Sequence, residues 1–471
     1  MSEIHIIKRR LGKLKIKGIL CRMLCRSSYF LLTALLHWSS PSVAQKRLTL
    51  SDAINKSFLS RKSMLAGRSD LTIRKLQTEA LYRNYWPQVS AEYTYLYNPI
   101  LQTSILPIGI FNPSYPIDAT KSIQFGTKWS QTAGITVNQP LLDLSIQRLI
   151  REAKMQENIT LASQAQSEYE LAYTVAQQYL EVGLQESKIK SAIADTLRTY
   201  TSYDLLRNKY DEKRLLKSDL NKSLINHYNA LQQLKDAVSE CMEVKVNLLS
   251  LMGETELEKS DFATDTTFFC LNKLAVSDLL PPSGQIPELQ QLELNGLLMN
   301  LQVRSEKAKH LPTIGIKGFI GANQYTNNFD PKESNTWFGV SYVGLDCKFP
   351  LLLGENTHKK IQKLRLQATQ YKQQMEDKSA LYARDTFTAR LKIGRVASQL
   401  KTQQENLSLS IESMEITQAR FSEGQESAST LNLDEASLQR LENEYELNKK
   451  QMWVYWLDHL KSSGKLYTLW K

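Results

Sequence analysis

Trp86-Pro87-Gln88-Val89-Ser90-Ala91-Glu92-Tyr93-Thr94-Tyr95-Leu96-Tyr97 decides the fold, because a second stretch repeats its pattern. That stretch is Leu311-Pro312-Thr313-Ile314-Gly315-Ile316-Lys317-Gly318-Phe319-Ile320-Gly321-Ala322. In the first copy Val89, Ala91, Tyr93, Tyr95 and Tyr97 alternate with Gln88, Ser90, Glu92 and Thr94. Period two with one apolar side predicts a strand. Ile314, Ile316 and Ile320 alternate in the same way with Thr313, Lys317 and Phe319. Each copy leads to a further strand-like stretch ending in Pro-Leu-Leu, at Gly134–Leu142 and Gly344–Leu352. In the latter, Val343, Leu345, Cys347 and Phe349 alternate with Tyr342, Asp346 and Lys348. The copies are offset by 225 residues at the first proline (87 to 312) and by 210 at the second (140 to 350). Such an offset is too long for a solenoid repeat and predicts an internal duplication whose halves lie side by side.

Proline marks where helices are excluded. The 13 prolines lie at 41, 87, 99, 107, 113, 116, 140, 281, 282, 287, 312, 331 and 350, and none falls in 141–280 or 351–471. Because proline lacks an N–H and clashes with the preceding helical turn, two proline-free arms flank two proline-bounded strand zones. Expected strands fall at about 88–97 and 122–139, then about 313–322 and 337–349, with residues 98–121 as a loop. A helix is expected over 51–84, capped by Ser51 or Thr49 and ending before Trp86-Pro87. The arms predict long helices over 143–252 and 355–470. Ala165, Tyr169, Ala172, Ala176 and Tyr179 follow heptad spacing, as do Leu224, Tyr228, Leu231, Leu234, Val238 and Cys241. Ile361, Leu364, Ala368, Tyr371 and Met375 repeat it, and Leu438, Leu441, Tyr445 and Met452 continue it on the last helix. A run from 143 to 210 spans about 100 Å, the length of a rod or tube rather than of a globular core. Residues 253–287, with Gly253, Pro281-Pro282 and Ser283-Gly284, separate a first repeat (45–252) from a second (288–471).

The N-terminus has the form of an export signal. Basic residues crowd positions 8–26, Tyr29–Leu36 is apolar, and Ser42-Val43-Ala44 places small residues before a cleavage point at Gln45. The apolar run is too short to span a bilayer, so residues 1–44 read as a cleaved signal. Met1 and Met23 both remain candidate starts. Most of the net charge of +11 lies in this segment, which removes the argument from basicity for a nucleic-acid partner. No later segment approaches ~20 continuous apolar residues, so membrane contact would require a β-barrel. Aromatics at the strand ends (Tyr93, Tyr95, Tyr97, Trp129, Trp337, Phe338, Tyr342) fit a barrel's interfacial girdles.

No catalytic constellation is expected. His227, His310, His358 and His459 are far apart and lack metal-ligand spacing, and Cys241, Cys270 and Cys347 form no disulfide or zinc pattern. Gly315, Gly318 and Gly321 have phosphate-loop spacing but lie inside a strand pattern with no following Lys-Ser or Lys-Thr. Neither a cofactor nor a metal is expected, and the chain does not read as an enzyme.

In the order of its parts, about residues 48–465, the chain resembles the TolC-like outer-membrane efflux family. The resemblance rests on the duplicated strand pairs, the Pro-Leu-Leu exits and a tip motif between paired helices. The second tip reads Arg420-Phe421-Ser422-Glu423-Gly424-Gln425-Glu426-Ser427-Ala428-Ser429-Thr430-Leu431-Asn432, and the first Lys209-Tyr210-Asp211-Glu212-Lys213 through Ser218-Asp219-Leu220-Asn221. Gly424 suits a left-handed helix end, and Ser427 or Ser429 a following cap. A plain hairpin turn and a turn that also contacts a partner both fit these residues.

The resemblance implies an internally duplicated α+β membrane protein, a homotrimer. Each chain would give four transmembrane strands to a shared 12-stranded barrel in outer-membrane lipid. Long antiparallel coiled-coil helices would form a periplasmic tunnel, in a Gram-negative bacterium. It implies a passive exit duct of a tripartite efflux or type I secretion system, gated at its periplasmic tip by an adaptor (membrane fusion) protein. An inner-membrane pump of the RND or ABC type would supply the energy. Adaptor contact would fall on Tyr210, Lys213, Ser218, Asp219, Phe421, Gly424 and Ser427, and the barrel–helix junctions on Pro87, Pro140, Pro312 and Pro350. The chain departs from the family in two places. Lys213 stands where glycine is usual, so a differently shaped first turn is expected. Where well-studied members carry an acidic pair that narrows the pore, this chain has Thr430 and Leu433, with Asp434 and Glu435 next in line. A periplasmic coiled-coil bridging protein without a pore is the alternative; it accounts for the helices but not for the strand pairs.

Overall fold

The computed structural model describes residues 47–111, 114, 116–255, 262–265, 285–329, 337–350 and 355–470. The export signal, Cys270, most of the expected linker and Leu351-Leu352 lie outside the described residues. In chain order the elements are β1 (Arg47–Leu48), α1 (Leu50–Ser60), α2 (Lys62–Tyr82), β2 (Gln88–Tyr97), β3 (Gln102–Pro107), β4 (Thr120–Phe125), β5 (Trp129–Leu142), α3 (Leu144–Asp211) and α4 (Lys217–Leu251). Then follow β6 (Ala263–Thr264), α5 (Pro287–Ala308), β7 (Thr313–Thr326), β8 (Trp337–Lys348), α6 (Glu355–Glu423) and α7 (Ala428–Ser462).

Four strands form one antiparallel sheet in the order β2-β5-β7-β8, so the duplicated strand pairs meet at β5 and β7. All four attach to helices at the same end. The sheet has two open edges, β2 and β8.

The helices form two antiparallel hairpins, α3–α4 and α6–α7, with α2 packed on α3 and α5 packed on both α3 and α6. At 68 residues, α3 is about 100 Å long. No described helix is long and apolar enough to cross a membrane. The main core lies partway along α3. There Val175, Ala176 and Tyr179 meet Ile54 of α1, Leu248 and Met252 at the end of α4, and Leu457 near the end of α7. Tyr179 is fully buried, and its hydroxyl donates to the Leu48 carbonyl (2.7 Å) and accepts from the Asp265 N–H (3.0 Å). A smaller core, with Leu206, Met414, Phe421, Leu431 and Leu438, lies at the helix tips.

Four features depart from the sequence expectation. The helix over 51–84 breaks at Arg61, which is extended (φ −69°, ψ 125°). Gly253 packs against that break, where an added Cβ would stand 2.9 Å from the Ser60 carbonyl carbon. The cause is therefore tertiary. Thr49 is the cap of α1, accepting from the Asp52 N–H at 3.1 Å. Residues 98–121 are not all loop: β3 and β4 pair as a hairpin. Proline tolerates only the end of such a ladder, and Pro107 occupies its terminal pair. The strand expected over 122–139 is divided at Gly126 (φ 106°), and β5 then runs on through Pro140 to Leu142, with a shifted register that accommodates the proline.

On α4, Tyr228 and Val238 are exposed, and the buried seam is Ser223, Ala230, Ala237, Cys241 and Leu248. Heptad spacing holds, but mostly on small residues (Ser223, Ala230, Ala237, Cys241) that allow close helix approach, with Leu248 at the end of the seam and Tyr228 and Val238 outside it.

Candidate functional site

The register sorts every strand residue onto one of two sheet faces. Directly paired residues share a face, so Val89, Val137, Gly318 and Val343 form one row, and Ala91, Ile135, Ile320 and Ser341 another. This face carries no charged residue. Ile320 is 65% exposed and Val343 82%. The opposite face holds every charge of the four strands (Glu92, Lys317, Asp346, Lys348) along with Gln88, Ser90, Thr94, Thr132, Thr136 and Asn138.

The apolar face is bounded by rings. At the end remote from the helices Trp129 packs on Tyr95 (5.2 Å), Tyr97 (4.3 Å) and Phe329 (5.1 Å). Beneath them the buried Gln131 donates to the buried Gln324 at 2.6 Å, and the Tyr93 hydroxyl donates to Gln131. Trp86 and Phe349 stand exposed at the helix end. Rings at both ends of an aliphatic band, with charges confined to the other face, are the features of a sheet in lipid. Pro87 and Pro312 each precede a strand directly, Pro350 follows β8, and Pro140 lies inside β5 rather than after it.

The two helix tips have the same backbone. Gly424 takes φ 82°, with the Gly424 N–H on the Phe421 carbonyl (3.1 Å) and the Gln425 N–H on Arg420 (2.9 Å). Lys213 takes φ 62°, with its N–H on the Tyr210 carbonyl (2.8 Å) and the Arg214 N–H on Lys209 (2.9 Å). The expectation of a differently shaped first turn is therefore corrected: the six-to-one bond closing the last turn of α3 outweighs the local preference of lysine. Lys213 is the only non-glycine with positive φ among the described residues. The left-handed region costs an L-residue roughly 1–2 kcal/mol, and glycine's larger unfolded-state entropy returns part of that. Lys213→Gly is thus expected to stabilise the protein by about 1 kcal/mol, seen as a raised thermal midpoint. An unchanged or lower midpoint would refute this strain.

The remaining expected tip residues are close by. Ser218 is exposed, Asp219 pairs with Lys222 (3.5 Å), and Phe421 is buried. Ser427 caps α7, accepting from the Thr430 N–H at 3.1 Å. Of the candidate constriction residues, Thr430 bonds Ser427 (2.9 Å), Asp434 accepts from the Thr417 hydroxyl (2.6 Å), and Leu433 is 68% exposed.

Sequence reasoning missed the contacts that join the two hairpins. The Lys209 ammonium donates to the Phe421 carbonyl and lies 4.1 Å from its ring centroid. Asn226 meets Asn432 at 3.1 Å, and Ser202 donates to Glu435. Gln439 bonds both Asp195 and Gln233, and Arg198 reaches Glu442 at 3.6 Å. Polar residues at seam positions of a heptad are the signal that marks them.

Burial pushes the Glu435 carboxyl above its ordinary range, against the opposing Ser202 bond and Arg198 charge. Burial raises Glu442 as well. Unfolded, Glu435 ionises near 4.5; folded, it keeps its proton to higher pH. Its contribution is therefore full below 4.5 and is lost as pH rises through the raised value. Glu435→Gln is expected to flatten the fall of the thermal midpoint from acid to neutral pH. An equally steep fall in the variant would exclude Glu435 as its source.

Residues 284–453 match the family model described as outer membrane efflux protein. No curated protein matches the sequence. Among solved structures, the fold is similar to the outer membrane protein VceC of Vibrio cholerae at 11% identity and TM-score 0.67, covering 88% of this chain and 96% of that one. It is similar to the CmeC outer membrane channel of Campylobacter jejuni (11%, TM-score 0.66, 88% and 85%). It is also similar to the MtrE outer membrane channel of Neisseria gonorrhoeae, solved in an open state (14%, TM-score 0.62, 88% and 88%). Residues 284–453 thus match the outer membrane efflux protein model, and the chain has the fold of these outer-membrane channels over most of its length.

Proposed function

We propose that this protein is the outer-membrane exit duct of a tripartite export system and performs no chemistry itself. The observation that carries the reading is the sheet. It has two open edges, one uncharged aliphatic face and one face with all the charges, and it is joined to helices about 100 Å long. Four strands cannot close a barrel, and exposed edges invite pairing. Three copies joined β8 to β2 give a 12-stranded barrel with its polar face inward, and the hairpins continue it as a periplasmic tunnel. A bridging coiled coil has no use for a sheet sorted in this way.

In this reading the barrel turns into the tunnel at Pro87, Pro140, Pro312 and Pro350. The tips, at Tyr210, Lys213, Ser218, Asp219, Phe421, Gly424 and Ser427, contact an adaptor protein that links the duct to an inner-membrane pump. Thr430, Leu433 and Asp434 narrow the tunnel. Because Thr417 engages Asp434, the exposed group there is Leu433, which makes the constriction apolar rather than acidic. Gating is the parting of the hairpins at Lys209–Phe421, Asn226–Asn432 and Ser202–Glu435.

Electron microscopy of the detergent-extracted protein tests the reading. A hollow three-fold cylinder longer than about 100 Å is expected. A solid rod, or a water-soluble monomer, would overturn it.

A further inference from the structure

We infer that the first helix tip is built to receive a protein hairpin that presents carboxylates around an apolar residue. The inference rests on the proposal that the tips dock an adaptor, and adds the chemistry of what docks.

The two tips share a backbone but differ in charge. Between Arg207 and Lys222 there are six basic residues and three acidic ones. The matching window of the second tip, 418–433, holds Arg420 alone against Glu423 and Glu426, and Arg420 lies 3.9 Å from Glu426. At the first tip Lys213 and Lys217 are exposed and make no ion pair among the described residues. Arg214 meets only the exposed Glu212, at 3.4 Å.

Lys213 also occupies a backbone position that, among the described residues, glycine fills at the three other helix ends with this turn, Gly253, Gly424 and Gly464. A strained residue at an exposed apex points to a role for its side chain rather than for its backbone. Beside it Leu216 is 71% exposed, between Arg214 and Lys217. A leucine flanked by exposed cations, of which Lys217 has no ion pair among the described residues and Arg214 meets only the exposed Glu212, is matched by an apolar group flanked by anions at fixed spacing, which a folded hairpin supplies. The tip also stands about 100 Å along α3 from the sheet, so the bilayer that holds the sheet is not what it meets.

The test uses the full chain, extracted in detergent and immobilised. Two disulfide-closed helical-hairpin peptides serve as probes, identical except for a loop reading Glu-Leu-Glu or Lys-Leu-Lys. Vesicles containing phosphatidylglycerol are a third probe. The Glu-Leu-Glu hairpin is expected to bind about tenfold more tightly, from two or three exposed charge pairs, with the preference shrinking at high salt. Lys213→Glu, Arg214→Glu and Lys217→Glu together are expected to reverse it, and Lys213→Gly to reduce it. Unchanged particle shape in electron microscopy confirms that the variants fold. Equal binding of both hairpins would overturn the charge inference and leave the docking reading standing. If neither hairpin binds, the docking reading falls and this inference with it. Binding to the vesicles alone would make the tip a site for an anionic membrane surface and overturn the inference.

Discussion

Arginine at position 320 is expected to keep the protein out of the outer membrane. Ile320 lies at the middle of β7, on the face without charges, and pairs with Ile135 and Ser341. If that face meets lipid, a cation at mid-depth costs about 2–4 kcal/mol per chain, and three copies would each bear it. The paired experiment is Thr132→Arg, on the opposite face of β5 beside Thr94 and Asn323. There the guanidinium would enter a water-filled lumen. Fractionation of both variants is expected to find Ile320→Arg absent from the outer membrane and Thr132→Arg present. In planar bilayers the latter is expected to shift ion selectivity toward anions. If both insert equally, the face assignment is wrong and the barrel proposal fails with it.

The second large effect concerns a glycine pair. Gly134 and Gly321 face each other across β5 and β7 on the charged face, and the Phe319 ring lies over both, stacked against Tyr342 (ring centroids 5.7 Å). A Cβ on Gly134 would stand 2.5 Å from the tip of that ring and 2.9 Å from the Ile320 carbonyl oxygen. A Cβ on Gly321 would stand 2.4 Å from the Ala133 carbonyl oxygen and 2.7 Å from the Gly134 Cα. One clash is mainly with a side chain, the other with backbone. Overpacking costs about 1–3 kcal/mol when neighbours can shift, and more when they cannot. Gly134→Ala is therefore expected to lower the thermal midpoint of the assembled protein moderately and to be partly rescued by Phe319→Leu. Gly321→Ala is expected to be the more damaging and to gain nothing from the same rescue. Rescue of both, or of neither, would show that Phe319 does not set the spacing of these strands.

Much of the architecture was legible in order because it follows from local rules. Alternation at Gln88–Tyr97 and Thr313–Ala322 sets two strands, and the absence of proline from 141–280 and 351–471 permits two long arms. The glycine and serine of the second tip set its turn and cap. The alternation also assigned the faces, since a period of two puts Glu92 opposite Tyr93 and Lys317 opposite Ile316 whatever the strands pair with.

What the sequence left undecided comes mainly from contacts between residues far apart in the chain, with the turn at Lys213 a local exception. The order β2-β5-β7-β8 depends on pairing across 190 residues or so, and no local pattern specifies it. The break at Arg61 exists because Gly253 arrives there. The left-handed turn at Lys213 exists because the hydrogen bonds that end α3 outweigh the preference of its side chain. The helices of α3–α4 approach along alanines, with the larger Tyr228 and Val238 left outside, which spacing alone does not distinguish. Lys209, Ser202 and Glu435 became a contact set between hairpins only when residues more than 200 positions apart were brought together. The chain by itself thus determined its two long arms, its four main strands and the two sides of each strand. Which elements touch, and which side chains join the two tips, was decided by the tertiary structure, because those energies belong to pairs and not to single residues.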